Sequence, residues 1–455
     1  MKIVIVGDGK VGYTLTQQLS QEGHDVVVID NNPAVLQQSM ETLDVFIVEG
    51  NGASLAVQQE AQVGQSDLLI AVTPSDELNL LCCVLAKKLG CKQTIARVRN
   101  PEYTQQLALL REDLGLSMTV NPERATAHEI FRLLQFPSFL KRDTFCHGRV
   151  ELVEMKITEG SPLAGICLKE LPKTVGISVL ICAVTRNGKI AIPTGDFKLE
   201  AGDKITVTAA ATNLAKLITK LELSSQKVKD AMIVGGGRIA IHLSQMLLKT
   251  GVRVKLVEQD MEKCRVLSEA LPKAVVVCGD GTSQELLRSE GLQEMDALIS
   301  LTNIDEENIV LSMYADHMGV PKSVTKISRS EYETIFQSRG LGSVVTPKLL
   351  TANAILAYVR AMKQSTASSV LSLYRLCDGQ AEALEFRALE GTLNLNIPFK
   401  DVKLRPTLLI ACIVRGSDVI IPGGNDFIQA GDNVVVFTTA EETLSTLNDI
   451  FAEVE

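Results

Sequence analysis

The chain contains no tryptophan, and aromatic residues make up only 4% of its 455 residues. Such a scarcity is unusual for a globular chain. It also lacks any excess of positive charge. A formal net charge of −9 argues against the basic footprint of a protein that grips a phosphate backbone, so nucleic acid is a poor candidate partner. None of the ten cysteines falls in a C-x-x-C or in Cys/His spacing that closes a zinc site, so no metal is expected. Most lie inside apolar runs such as LLCCVLA and VLICAV, as small core hydrophobes of a reducing compartment. No apolar run approaches the roughly 20 residues that cross a bilayer. The N-terminus opens on MKIVIVG without a signal-sequence pattern, so the chain is expected to stay in the cytoplasm, with any role at a membrane reached through a partner.

What is present is the balance of a soluble globular protein, 46% hydrophobic and 22% charged, in a chain long enough for several domains. It is also repeated. MKIVIVGDGKVGYTL aligns with DAMIVGGGRIAIHL, so that Gly7 falls on Gly235 and Asp30 on Glu258. GNG at 50 to 52 falls on GDG at 279 to 281, and AVTPSDELN at 71 to 79 on SLTNIDEEN at 300 to 308. IPTG at 192 to 195 and AGD at 201 to 203 return as IPGG at 421 to 424 and AGD at 430 to 432. The duplication thus spans almost the whole chain.

Within the first half, β-branched runs at 2–6, 25–30, 45–48, 68–72 and 94–98 alternate with helical stretches, the pattern of a parallel sheet with crossover helices. A last strand near 117–120 leads through Asn121 and Pro122 into a helix of about 15 residues that Pro137 ends; it is expected to close the nucleotide domain. After a polar connection around KRDTFCHGR come short alternating strands, ELVEMKIT, ISVLICAVTR, KIAIP and DKITVTAA. The expected architecture is α/β: two Rossmann-type, doubly wound parallel-sheet domains, each followed by a small α+β domain. The limits are 1–140, 141–225, 226–365 and 366–455, with links at 224–230 and 363–369.

Gly7-Asp8-Gly9-Lys10-Val11-Gly12 stands directly after a strand and before a helix, and Asp30 ends the next strand. Such glycines permit a tight turn and close approach of a pyrophosphate to a helix N-terminus, and the acid can accept from a ribose 2′-hydroxyl. The alternative is that the glycines serve only the turn and Asp30 only the following loop. A carboxylate at the ribose disfavours a 2′-phosphate, hence NADP, but does not separate NAD from ATP or ADP. The second copy offers Gly235, Gly237, Arg238 and Glu258, with Ala240 at the third glycine position. Lys10 and Arg238 either reach phosphate or solvate a first helical turn.

Further candidates lie at the carboxyl ends of strands, where ligands of open α/β sheets sit: Asn51, Thr73, Pro74, Arg97 and Glu123. Turn and cap chemistry is the alternative for Asn51 and Thr73, a surface ion pair for Arg97 and Glu123. In the second half Lys326 and Lys348 take the places of Arg97 and Glu123, so the two sites should not prefer the same ligand. The histidines, His24, His128, His147, His242 and His317, are paired with no nucleophile motif or metal spacing, and no catalytic constellation is evident.

GDGKVG, VVVID, GNGAS, SDLLIAVTPSDELN and IARVRNPE resemble the successive blocks of the N-lobe of the RCK (KTN) family, and SPLAG, IPTG and LEAGD resemble its C-lobe. The resemblance covers nearly the whole chain. It implies a non-enzymatic, cytosolic regulatory subunit that binds NAD(H) and ATP or ADP in its N-lobes. Four chains would form a ring under a membrane potassium-translocating subunit of the TrkH or TrkG type, peripheral on the inner face of the membrane, and ligand exchange would gate the pore. Carried over by position, the first-half ligand set is Gly7, Gly9, Lys10, Val11, Gly12, Asp30, Asn51, Thr73, Arg97 and Glu123. Ala240, Lys326 and Lys348 depart from it, as does TLNLN at 392–396, which stands where SPLAG stood. The rival readings are an NAD-dependent oxidoreductase and a module that keeps nucleotide as a fixed structural cofactor.

Overall fold

A computed structural model describes residues 1–135, 139–146, 149–186, 188–221, 227–329, 332, 342–362, 370–376, 380–405, 407–439 and 444–452. Pro137, His147, residues 224–226 of the first link and the whole of 363–369 lie outside them. Met1–Thr126 with Thr346–Leu356 form one body, and Ala127–Val345 with Ala357–Glu455 the other.

In the first body, β1 (Lys2–Val6), β2 (Asp25–Asp30), β3 (Phe46–Glu49), β4 (Leu68–Ala71), β5 (Gln93–Arg97) and β6 (Met118–Val120) form a parallel sheet of order β3-β2-β1-β4-β5-β6. Both faces are covered, so its central strands read as unbroken apolar runs: Ile3, Val4 and Ile5 of β1 and Leu68, Leu69 and Ile70 of β4 are fully buried. Strand order reverses between β1 and β4, which opens a crevice at their carboxyl ends. Helix Asp76–Leu89 shows why the crossovers form where they do. Ser75 caps it by accepting from the Leu78 N–H, Asp76 and Glu77 lie at its N-terminus, Lys87 and Lys88 in its last turn, and Gly90 ends it at φ +111°.

The second body contains three sheets. After the connection comes a five-stranded sheet of β7 (Lys141–Phe145), β8 (Val150–Lys156), β9 (Leu180–Arg186), β10 (Lys189–Ala191) and β11 (Lys204–Ala210), order β10-β9-β11-β8-β7. The second parallel sheet follows, β12 (Asp230–Val234), β13 (Arg253–Glu258), β14 (Val275–Cys278), β15 (Ala297–Ser300), β16 (Lys322–Lys326) and β17 (Ser343–Val345), in the order β14-β13-β12-β15-β16-β17. The last sheet, β18 (Val370–Leu376), β19 (Ala381–Arg387), β20 (Leu408–Arg415), β21 (Asp418–Ile420) and β22 (Asn433–Thr439), has the topology of the first C-lobe.

Two expectations change. KRDTFCHGR is not simply a connection, because Lys141–Phe145 pairs antiparallel with β8; a five-residue edge strand carrying charge has too short an apolar alternation to betray itself. Nor does helix Pro122–Gln135 merely close its own domain. From Ala127 onward it belongs to the second body, where Ala127, Ile130, Leu133 and Leu134 enter one apolar core with Ile233 and Leu243. Conversely, Thr346–Leu356 of helix Pro347–Met362 groups with the first lobe.

The two C-lobe sheets share one apolar core through Phe145, Leu152 and Cys182 of one and Ala383, Cys412 and Phe437 of the other. The repeated AGD motif has a structural duty in each. Asp203 accepts from Arg186 Nε and Nη2 at 2.7 and 2.8 Å, and Asp432 from Arg415 Nε and Nη2 at 3.0 and 2.8 Å. Each arginine also lies over a ring, Phe197 or Phe427. Among the described residues, no helix is long and apolar enough to cross a membrane.

Candidate nucleotide sites

The chain leaves β1 through Gly7 at φ +98°, whose N–H donates to Ile29 O at 2.8 Å. A Cβ on Gly7 would stand 3.0 Å from Thr73 N, and one on Gly12 only 1.8 Å from Gly7 O, so the turn admits no side chain at either position. Gly9 differs. Nothing lies within 4 Å of where its Cβ would be, and it caps helix Lys10–Gln21 without a side-chain hydrogen bond, so no capping side chain occupies the first-turn N–H groups. Lys10 is exposed beside it and Val11 half-buried.

Asp30 ties this loop to the next strand. Its carboxylate accepts from Asp8 N–H at 2.7 Å and Asn32 N–H at 2.9 Å, and retains lone pairs for hydroxyl donors. The Asp8 side chain turns inward, buried, with Ser39 Oγ donating to Oδ2 at 2.6 Å while Oδ1 has no partner. Burial pushes Asp8 up to about 6; the Ser39 hydrogen bond opposes this, and the neighbouring charge of Asp30 adds to it.

At the strand ends, Asn51 makes an Asx turn, its Oδ1 accepting from Ala53 N–H at 3.0 Å. Thr73 donates both N–H (2.8 Å) and Oγ1 (2.7 Å) to Asn79 Oδ1, while Asn79 Nδ2 donates to the carbonyls of Thr73 and Arg97 at 3.1 and 2.9 Å. Fully buried Asn79 therefore clamps β4 to β5 under the crevice. The repeat had paired it with Asn308 without revealing that role. Arg97 Nη1 donates to Val72 O at 3.4 Å, the Pro74 carbonyl accepts from Arg99 Nη2, and Glu123 Oε1 lies 3.9 Å from Arg99 Nη1. Asp76 accepts from the N–H groups of Arg99 and Asn100 at 2.8 and 2.7 Å, fixing the loop after β5.

The second lobe repeats the frame. Gly235 has φ +101°, Gly237 is open and caps helix Arg238–Lys249, and Glu258 accepts from Gly236 N–H at 2.8 Å and Asp260 N–H at 3.0 Å. Asn308 makes the Asn79 clamp between Thr302 and Lys326, and Asp305 takes the N–H groups of Ser328 and Arg329. Here a cleft of about 570 Å³ opens, with Gly237, Arg238, Glu258, Lys263, Thr282 and Thr302 among its walls. Lys326 and Lys348 are not lining residues. Lys326 is buried in β16, and Lys348 groups with the first body. The cations beside this cleft are instead Arg238 and Lys263.

The TrkA-N domain model matches residues 3–122 and 231–347, and the TrkA-C domain model residues 152–222. The Trk system potassium uptake protein TrkA homolog of Archaeoglobus fulgidus is 32% identical over 451 residues, covering 99% of this chain and all of that one. The chain belongs to the TrkA family. A second TrkA relative, the Trk system potassium uptake protein of Haemophilus influenzae, is also 32% identical, over 99% of this chain and 98% of its own. In fold, this TrkA-family chain is similar to the GsuK RCK domain (TM-score 0.62, 20% identity, 97% of this chain and 92% of that one) and to the GsuK channel bound to NAD (TM-score 0.61, 21% identity, 97% and 77%). The two Rossmann domains with their C-lobes are thus the RCK architecture, present twice in a TrkA-family chain.

Proposed function

We propose that the chain is a cytosolic nucleotide-sensing regulatory subunit, without catalysis of its own, that gates a membrane potassium-uptake channel or transporter by binding NAD(H) and ATP or ADP. The observation that carries this is the paired glycine-loop and carboxylate frame, built twice at the crevice of a Rossmann sheet. Open Gly9 and Gly237 leave room for a diphosphate at a helix N-terminus, while Asp30 and Glu258 keep lone pairs for a ribose. The names of the relatives, Trk system potassium uptake proteins, and a fold neighbour bound to NAD support the same reading.

In it, Gly7, Gly9, Lys10, Val11, Gly12, Asp30, Asn51, Thr73, Pro74, Arg97 and Glu123 form the first site, and Gly235, Gly237, Arg238 and Glu258 the second. Asp8 contributes its backbone N–H to the loop while its side chain faces the core. This reading assigns four domains to the chain, at 1–140, 141–225, 226–365 and 366–455. In this reading four chains form a ring docked on a TrkH- or TrkG-type subunit at the inner face of the membrane, and exposed Leu81 on one N-lobe helix and Val310 and Met313 on its counterpart are apolar surface that self-association could cover.

A ligand shifts such a ring only by the difference in its affinity for the ring's states. Calorimetry of the full chain with NADH, ATP and ADP is the direct test: binding is expected, and no binding of any adenine nucleotide ends the proposal. An oxidoreductase would instead change NADH absorbance with some metabolite of a panel. A fixed structural cofactor would co-purify and resist exchange.

A further inference from the structure

Cys264 and Cys278 stand together against the acid of the second lobe. Cys264 lies in helix Met261–Ala270, buried, and its thiol donates to Glu258 O at 3.3 Å. Cys278 ends β14 directly opposite Glu258 in the strand register; it is exposed, and its thiol donates to the next carbonyl, Gln259 O, at 3.8 Å. Two thiols from separate elements therefore share one turn, the turn that carries Glu258 and whose Asp260 N–H the Glu258 carboxylate holds. Their mutual proximity also registers in the chemistry of Cys264, whose thiol is pushed up to about 11, first by burial, then by Cys278. At the matching place beside Asp30 the first lobe has no thiol pair. Repeat registers place Leu36 where Cys264 stands and Glu49 where Cys278 stands.

We propose that Cys264 and Cys278 are a modification site at which peroxide forms a reversible disulfide, setting the position of the Glu258 turn and hence nucleotide affinity at the second cleft alone. Exposed Cys278 reacts first. Its sulfur bonds to one peroxide oxygen as the O–O bond breaks, and the leaving hydroxide takes the thiol proton as water, giving a sulfenic acid. The Cys264 sulfur then attacks the Cys278 sulfur: the S–S bond forms, the S–O bond breaks, and hydroxide leaves with the Cys264 proton as a second water. Two thiols lose two electrons to one peroxide, and a thiol reductant reverses the change. Burial keeps Cys264 from peroxide, so Cys278 is oxidised first and Cys264 enters as the resolving thiol. The bond would staple helix Met261–Ala270, which carries the cleft residue Lys263, to β14.

Only the consequence at the cleft rests on the nucleotide reading; the dithiol stands without it. The test is hydrogen peroxide treatment of the purified full chain, alkylation of remaining thiols, and non-reducing peptide mapping. A Cys264–Cys278 linked peptide that disappears with dithiothreitol, and is absent from Cys264→Ser and Cys278→Ser, is expected. Cys264→Ser should instead carry Cys278 on to the sulfinic acid. Cys278 over-oxidised in the unmutated chain with Cys264 still alkylated, or a Cys278–Cys278 link between chains, would overturn the proposal. Calorimetry with ADP on the oxidised and reduced chain reads the consequence. An affinity change of about five-fold or more at one class of site, abolished in Cys278→Ser, supports it; equal affinities in both forms sink the coupling while leaving the disulfide. No binding to the reduced chain removes the nucleotide reading and not the dithiol.

Discussion

Set side by side, the two glycine loops keep one interaction and exchange its surroundings. In both, the acid ending the second strand accepts from the loop N–H at position 8 or 236 and from the N–H two residues beyond itself. In the first lobe the acid is short, and Asp8 fills the space behind it toward Ser39. In the second the acid is longer by a methylene and position 236 is glycine, where a Cβ would stand 2.5 Å from Leu267 Cδ1 and 3.0 Å from Glu258 Oε2. Asp8 with Asp30 and Gly236 with Glu258 are thus two packings of one turn. What has been retained is the anchoring of the carboxylate.

The glycine at position 12 offers the sharpest way to break this comparison. Gly12→Ala puts a methyl 1.8 Å from the Gly7 carbonyl, and should cost about 3 kcal/mol or more by overpacking, whereas the second lobe already buries the Ala240 methyl fully. Hydrogen exchange resolved by peptide should show the loss in the first lobe alone; equal protection in mutant and parent would mean the turn is wider than described. The asparagine clamps come next. Asn79→Ala and Asn308→Ala each strand buried carbonyl and N–H groups, so each should lose about 2 to 4 kcal/mol in its own lobe, read by the same method, and unequal losses would show that the clamps are not equivalent.

Asp30→Ala and Glu258→Ala should each weaken nucleotide binding at one class of site by about ten- to hundred-fold, through the lost charged hydrogen bond to ribose. Calorimetry would assign ligands to lobes, and a single substitution that abolishes both classes would contradict two separate sites. The smallest effect concerns Asp8, which has no counterpart acid at Gly236. Its folded pKa, about 6, lies above the ordinary 3.8, so the folded state holds the proton more tightly and loses stability as pH rises through that interval. Asp8→Asn should therefore gain on the parent between pH 4 and 7, by on the order of 2 kcal/mol at most, and show no growing gain below pH 4. A pH-independent difference in first-lobe exchange would remove the buried charge from the account.

The C-lobes show how a departure in sequence can leave a fold intact. Gly165, at φ +88°, donates its N–H to Leu199 O; Asn396, at φ +60°, donates its own to Ile428 O at the matching place. Asparagine tolerates the left-handed conformation, so TLNLN does the work of SPLAG although the letters differ. The acid at Asp203 and Asp432 was visible as a repeated AGD, but not the arginine that holds it, since Arg186 and Arg415 lie well upstream and nothing local marks the pair.

The sequence by itself determined the duplication, the two parallel sheets, the glycine loops and the acids that close them, because each depends on local geometry: strand period, turn conformation, and a side chain at the end of the next strand. Tertiary structure alone decided what those elements meet. Apolar spacing in helix Pro122–Gln135 announces a face to be buried but not its partner, and from Ala127 that face enters the second lobe's core. The same holds for the edge strand β7 and for the two C-lobe sheets joined through Phe145 and Phe437. Hydrophobic burial is non-directional, so pattern fixes how much surface must leave water, and only the assembled fold fixes against what.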